Sequence, residues 1–138
     1  MNTSNTKPCI VTLEHKPGEK GNITFFESEQ LKTFLPKRFF WLSNIPEGSF
    51  RGIHAHKLEN QVLICLKGKV KISLESIAGE NFEFNLEKES QGLLVPSMHW
   101  QKIEFGKDAI LLVMADREFS EEDYIRDKNI FDELRIQH

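Results

Sequence analysis

Short apolar runs separated by turn residues about every 8 to 12 positions extend along nearly the whole chain. They are CIVTLE (9–14), NITFFE (22–27), KRFFWL (37–42), GIHAH (52–56), QVLICL (61–66), KVKISLE (69–75), FEFNL (82–86), GLLVP (92–96), WQKIEF (100–105) and AILLVMA (109–115). Within FEFNLE, Phe82, Phe84 and Leu86 alternate with Glu83, Asn85 and Glu87, which is the pattern of a strand with one wet face, and VKISL alternates in the same way. Pro17 with Gly18, Pro46 with Gly48, Gly68, Gly79, Pro96 and Gly106 stand where the chain must reverse. The pattern predicts an all-β protein whose strands need two facing sheets or a closed barrel.

Two segments carry a helical pattern instead. SEQLKTF (28–34) opens on a serine and has room for one or two turns before Pro36. SEEDYIRDKNIFDELR (120–135) opens with Ser120 three residues before Asp123 and spaces Tyr124, Ile125, Phe131 and Leu134 near the helical repeat. The second predicts a C-terminal helical tail packed on a β core, and residues 1–8 are expected to be frayed.

Length and charge narrow the class. A chain of 138 residues is long enough for one domain with a real core and too short for two, so 1–138 is expected to be a single unit. It is 39% hydrophobic and 28% charged, with 18 basic against 21 acidic residues and a net charge of -3. That balance offers no polyanion-binding surface, which excludes nucleic acid as the expected partner. Cys9 and Cys65 lack metal-site or redox spacing, and Cys65 lies in an apolar run where a reduced thiol is the usual state, so a cytoplasmic setting is expected. The first residues lack the charge and hydrophobicity of an export signal, and no window approaches the roughly 18 apolar residues of a membrane span.

The chemistry gathers at RGIHAHKLENQ (51–61). Two residues apart on a strand, His54 and His56 face one space, wide enough for a metal ion held by both rings or for one sugar-sized ligand beside both. The spacing resembles the first motif of the cupin barrels, in which a glycine, His-x-His, a glutamate and a second glycine follow at fixed intervals. Gly48, His54, His56 and Gly68 fall on those positions, but Gln61 stands at the acid. In the second cupin motif GLLVPSMHWQ supplies Pro96, places Met98 where a glycine would be and Gln101 where the last ligand would be, with His99 nearby and out of step. Two imidazoles and two neutral amides make a poor site for a hard dication, so no metal or other cofactor is expected. The pair is then left to act as imidazoles. Two of them beside one ligand suit the removal of a proton alpha to a carbonyl and its return at the neighbouring carbon. Arg51 would face away from the pair on a regular strand, but Gly52 permits a kink that turns it inward.

RGIHAHKLENQVLICLKG, with KRFFWL before it, GLLVPSMHW after it, DYIRDKNIFDEL near the end and GNITFFE (21–27) near the start, resembles the cupin TDP-4-keto-6-deoxyglucose 3,4-ketoisomerases. The resemblance implies a cupin, or double-stranded β-helix jelly roll. It also implies metal-independent isomerisation of a TDP-4-keto-6-deoxyhexose to the 3-keto sugar, feeding synthesis of 3-amino-3,6-dideoxyhexoses for surface glycans. It further implies a homodimer that exchanges N-terminal strands. By it, His54 and His56 are the acid and base, and Arg38, Arg51, Gln61, Trp100 and Gln101 bind substrate, with one or both arginines on the diphosphate of a dTDP-linked keto sugar. Two positions depart from the family pattern: Phe40 and Trp41 replace tyrosines, and Gln101 stands where histidine is common. A sugar-nucleotide 3,5-epimerase and a sugar-binding cupin without activity are the rival readings.

Overall fold

Every apolar run predicted to be a strand forms one. The structure is a computed structural model that describes residues 7–136, apart from 28 and 30 and the side chain of 136. The strands are β1 (Cys9–Thr12), β2 (Glu14–Lys16), β3 (Ile23–Phe25), β4 (Arg38–Leu42), β5 (Phe50–His56), β6 (Gln61–Lys67), β7 (Val70–Ser76), β8 (Asn81–Leu86), β9 (Gln91–Val95), β10 (His99–Phe105), β11 (Ile110–Ala115) and β12 (Tyr124–Ile125). One α-helix among the described residues, α1 (Lys128–Ile136), follows them.

Two five-stranded antiparallel sheets result, in the orders β1-β9-β6-β11-β4 and β12-β5-β10-β7-β8, and β2 pairs with β3 alongside. No ladder closes one large sheet onto the other among the described residues, so the jelly roll is two facing layers. Between them lies the main core, built from alternate residues of six strands: Leu63 and Cys65, Val70, Ile72 and Leu74, Leu86, Leu93 and Val95, Ile103 and Phe105, Leu111 and Val113. The alternation read from FEFNLE and VKISL is what delivers those side chains inward.

Each sheet also has a covered outer face. Over the first, Val11, Leu13 and Phe34 pack on Val62, Ile64, Leu94 and Met114. Over the second, Phe131 of α1 packs with Ala55 and Ile125, with Trp100 and Leu134 at the margin.

The C-terminal tail carries its helix over a shorter range than 120–135. Residues 120–135 do not form one helix: Glu121–Asp123 make a single 3-10 turn, and Ser120 makes no side-chain cap there. Tyr124 and Ile125 then pair with His56 and Ala55 as an edge strand, and α1 begins only at Lys128. The Asp127 carboxylate accepts from the Asn129 amide at 2.8 Å and supplies the N-cap. In 28–34, Ser28 and Gln30 lie outside the described residues, and Leu31 to Phe34 form a turn closed by the Phe34 amide on the Leu31 carbonyl. Most of the expected frayed run, residues 1–6, also lies outside the described residues. No helix is long and apolar enough to cross a membrane among the described residues.

Candidate active site

The histidine strand, β5, lies between β12 and β10. Its pairing with β10 is interrupted: Gln101 stands opposite His54, but Ile103 stands opposite Arg51, so three steps on β5 match two on β10. The extra residue sits at Gly52–Ile53, and Gly52 takes a φ of 65°, in the left-handed region. A Cβ at Gly52 would lie 2.9 Å from Gln101 Nε2 and 3.2 Å from Ile103 Cδ1, so the glycine serves both the turn of the backbone and the close approach of the amide. The bulge reverses the facing of everything before it. Arg51 therefore joins His54 on the inner side, as the glycine after it had suggested.

A cavity of about 270 Å³ opens there. Arg51, His54, Gln61, Gln101, Tyr124 and Arg126 form its polar wall, while Phe40, Leu42, Leu63, Ile103 and Val113 form its floor. Four of the seven expected site residues thus share it: Arg51, His54, Gln61 and Gln101. His56 is buried directly behind, its ring centroid 4.8 Å from that of His54 and 4.3 Å from that of Tyr124.

Arg38 and Trp100 do not line this cavity. Arg38 is committed elsewhere: Nη1 and Nη2 donate to the two carboxylate oxygens of Glu59 at 2.9 and 3.2 Å, and Nη1 also donates to the Arg117 carbonyl. These contacts use three of its five N–H donors and hold the fork against Glu59, away from the cavity. Trp100 alternates out of phase with Gln101 and points away from the barrel interior onto Phe131, at 5.9 Å between ring centroids. His99 shares the inner side with Gln101 without a bulge, but its Nδ1 lies within reach of the Pro96 and Ser97 carbonyls, at 3.2 and 3.0 Å, and it is a structural group.

Four cavity and near-cavity groups were missed in the sequence. Tyr124 and Arg126 come from the tail, where Arg126 stacks 4.3 Å above the Tyr124 ring and pairs with Glu121. Asp123, next to them, accepts the amides of Leu58 and Glu59 at 2.8 and 3.1 Å and so pins the turn that follows His56. Glu59 is buried between Arg38 and Gln61, whose amide donates to it at 2.6 Å.

The two amides at the cupin ligand positions each turn an N–H toward an imidazole. Gln101 Nε2 donates to His54 Nε2 at 3.1 Å, and Gln61 Nε2 lies 3.3 Å from His56 Nε2. The Gln101 carbonyl oxygen is buried without a protein donor. A hard dication would need oxygens aimed at the imidazoles' shared space, but the amide nitrogens point there and the Glu59 oxygens are held by Arg38, so the donor set does not fit a metal.

Electrostatics separates the rings. Burial, the neighbouring His56 and the Arg126 guanidinium push the His54 pKa down to about 3, only slightly opposed by Glu121. Burial also lowers the pKa of His56, but there Glu59 and Asp123 oppose it. Both imidazoles are neutral at pH 7, which leaves each with a lone pair and an N–H. Burial pushes the Tyr124 phenol up, so it too stays protonated.

A larger groove of about 390 Å³ lies on the outer side of the first sheet, lined by Phe26, Phe39, Ile64, Leu66, Leu112 and Met114 among others. Its walls are mainly apolar, with Asn22, Thr24 and Glu89 as the polar members, and it holds no candidate acid–base pair.

Comparison with known proteins agrees with this geometry. The family model described as FdtA, WxcM-like, C-terminal, matches residues 6–135. A TDP-4-oxo-6-deoxy-alpha-D-glucose-3,4-oxoisomerase from Aneurinibacillus thermoaerophilus is 30% identical over 123 residues, 88% of each chain. Among solved structures, the sugar 3,4-ketoisomerase QdtA from Thermoanaerobacterium thermosaccharolyticum, in complex with TDP, superposes with a TM-score of 0.89 at 28% identity, covering 96% of this chain and 97% of that one. The TDP-fucose-3,4-ketoisomerase WlaRA from Campylobacter jejuni gives 0.84 at 25% identity, covering 94% and 96%.

Proposed function

The chain belongs to the FdtA (WxcM-like, C-terminal) family, and from that premise we infer that it is a TDP-sugar 3,4-ketoisomerase. The reaction converts a TDP-4-keto-6-deoxyhexose into the TDP-3-keto-6-deoxyhexose, a precursor for 3-amino-3,6-dideoxyhexoses. The observation that carries this reading is the pair of neutral imidazoles at one end of the barrel, with amides instead of metal ligands beside them.

The chemistry asks for little more. A base takes the proton from C3, the C–H electron pair becomes the C3–C4 double bond, and the carbonyl electrons pass to O4, which gains a proton. The enediol collapses the other way when O3 loses its proton and C4 gains one, so atoms balance with no redox cofactor. The histidines supply the acid and base. Gln101 offers its unpartnered carbonyl oxygen to a sugar hydroxyl, Gln61 orients His56, and Arg51 at the cavity wall takes the diphosphate.

We further propose a homodimer with exchanged N-terminal strands, acting in the cytoplasm. The apolar groove on the first sheet supports the dimer: Phe39 and Trp41, on the edge strand β4, are 55% and 67% exposed beside it, too much aromatic surface to leave in water. β1 holds the opposite edge through its ladder to β9 alone, an arrangement that a partner's strand can take over without loss of hydrogen bonds. Light scattering should give twice the mass of the 138-residue chain, and Trp41→Glu should shift it to the monomer.

Proton NMR of TDP-4-keto-6-deoxyglucose incubated with the protein in D2O, with EDTA present, tests the activity. A ketone that moves to C3, with deuterium at C4, is the expected result. Exchange at C3 and C5 with the ketone still at C4 would mean a 3,5-epimerase, and an unchanged spectrum would leave only a sugar-binding protein. Loss of turnover on chelation, restored by iron or manganese, would refute metal independence. His54→Asn and His56→Asn should each lower kcat by about 10² to 10⁴-fold.

A further inference from the structure

Behind the cavity wall, a buried carboxylate holds one of the two amides. Glu59 is 3% exposed and does not itself line the cavity. Its backbone amide donates to Asp123 Oδ2 at 3.1 Å and that of Leu58 to Oδ1 at 2.8 Å, while on the other side the Asn60 amide donates to Asp116 Oδ1 at 2.9 Å. The turn that carries Glu59 is thus held on both flanks. Its carboxylate lies in the Arg38 fork, and Oε2 also accepts from Gln61 Nε2 at 2.6 Å, short for an N–H···O bond.

The two ends of an amide differ little in size, and only its hydrogen bonds decide which way it faces. The other neighbour of this amide is His56, whose Nε2 lies 3.3 Å from Gln61 Nε2. An imidazole nitrogen can donate or accept, so by itself it leaves both orientations open. A carboxylate only accepts. Glu59 therefore allows one orientation of Gln61, with the N–H groups toward the carboxylate and the carbonyl oxygen turned from it. The same polarity recurs at Gln101, which gives an N–H to His54 and keeps a carbonyl oxygen without a protein donor. Gln61 and Gln101 line one cavity, and two acceptors there suit a ligand that brings two donors. A 4-keto-6-deoxyhexose has hydroxyls at C2 and C3, and its 3-keto isomer has them at C2 and C4.

We propose that Glu59 is a positioning residue that locks the Gln61 side chain with its carbonyl oxygen toward the cavity, where it accepts a hydrogen bond from a hexose hydroxyl. Arg38 completes the device. Its guanidinium offsets the charge that Glu59 brings into the interior, and it is itself seated between the Phe40 and Phe119 rings, at 5.4 and 5.8 Å from their centroids. An acceptor oriented before the sugar arrives need not be ordered when it binds. The same arrangement discriminates against a sugar with an ether or a second ketone in place of a hydroxyl, since two oxygens would then face each other without a proton.

The inference rests on the ketoisomerase reading and adds a recognition element to it. Its test pairs proton–nitrogen NMR of the Gln61 side-chain amide in the full-length protein with kcat/KM for the wild type, Glu59→Gln, Gln61→Met and the double variant. In the wild type one Gln61 Nε2 proton should lie well downfield of ordinary side-chain amides, as a short bond to a carboxylate requires, and it should move back in Glu59→Gln. Glu59→Gln and Gln61→Met should each lower kcat/KM about tenfold, and the double variant should be no worse than Gln61→Met. Two ordinary amide protons in the wild type overturn the inference without any variant, so the test survives a Glu59→Gln chain that fails to fold. A fall caused by Glu59→Gln that is as large in the Gln61→Met background also overturns it, because Glu59 would then act through the fold or through His56, whose Nε2 lies 3.7 Å from Oε2. A wild type that leaves the keto sugar untouched overturns the ketoisomerase reading and the hydroxyl contact with it, while the amide signal still decides whether Glu59 orients Gln61.

Discussion

Strand β10 carries both characters of the barrel on one inward row. At one end Ile103 and Phe105 are sealed in hydrocarbon with Val70, Ile72 and Leu111; at the other Gln101 meets His54, and the wall continues as Gln61, Arg51 and Tyr124. The two ends are separated by a single residue step of the same face. The dry end contributes stability through buried apolar surface and close packing, and the polar end spends some of it on buried groups that must find partners. The difference teaches that this fold keeps its chemistry off its foundation, so the two can be perturbed separately.

The largest effect should come from the dry end. Phe105 is 1% exposed, and Phe105→Ala removes a ring that the surrounding layers cannot replace. About 3 to 5 kcal/mol of stability should be lost in urea unfolding, while kcat per folded molecule stays within about twofold. A large drop in kcat at full folding would mean that the two ends are coupled.

A smaller effect is expected where the ends meet. Gly52→Ala places a Cβ in the left-handed region, at roughly 1 to 2 kcal/mol, and within 2.9 Å of the Gln101 amide. Arg51 and Gln101 both depend on that bulge. Activity should fall about tenfold or more, out of proportion to the stability lost. Crystallography of the variant checks the cause: Gln101 should be displaced from His54. A fall in stability with activity intact would mean that the bulge serves the backbone alone.

The same junction shows what could be read without coordinates. All ten apolar runs became strands: in β7, β8 and β10 burial of one face imposes a period of two, and β6 and β9, covered on both faces, read as short continuous apolar runs bounded by turn residues. Arg51 was readable because a glycine on a strand marks a bulge. The tail was misread because Tyr124, Ile125, Phe131 and Leu134 fit a helical spacing, although two of them are buried by an edge strand and the others by a helix. The better signal was Asp127 ahead of Lys128, a cap in mid-segment. Glu59, Asp123 and Arg126 left no trace, since nothing local says that an acid in KLEN will meet an aspartate 64 residues later. Arg38 and Trp100 were placed at the site by likeness. Their strands' facing, which the sequence does encode, sends Trp100 outward, and the unforeseen Glu59 claims Arg38.

The smallest effect, and the finest division between the ends, is in the response to acid. The apolar end has nothing that titrates in acid, since burial pushes its Cys65 thiol up, whereas the polar end holds His54 with its pKa lowered from 6.5 to about 3 by burial and by neighbouring His56 and Arg126. Between those values the unfolded chain binds a proton at this position and the folded chain does not. Stability therefore rises with pH across that window, and the contribution is complete above pH 6.5 and lost progressively as pH falls toward 3. With the cavity's solvent discounted, this group should make the protein on the order of 1 kcal/mol less stable at pH 5 than at pH 7. His56 and His99 are lowered as well and act with the same sign, so the decisive measurement is a difference. Urea midpoints of the wild type and His54→Asn at the two pH values should show a shallower acid decline in the variant, because one of the three protons has gone. Equal slopes would mean that the folded chain already protonates His54 at pH 5.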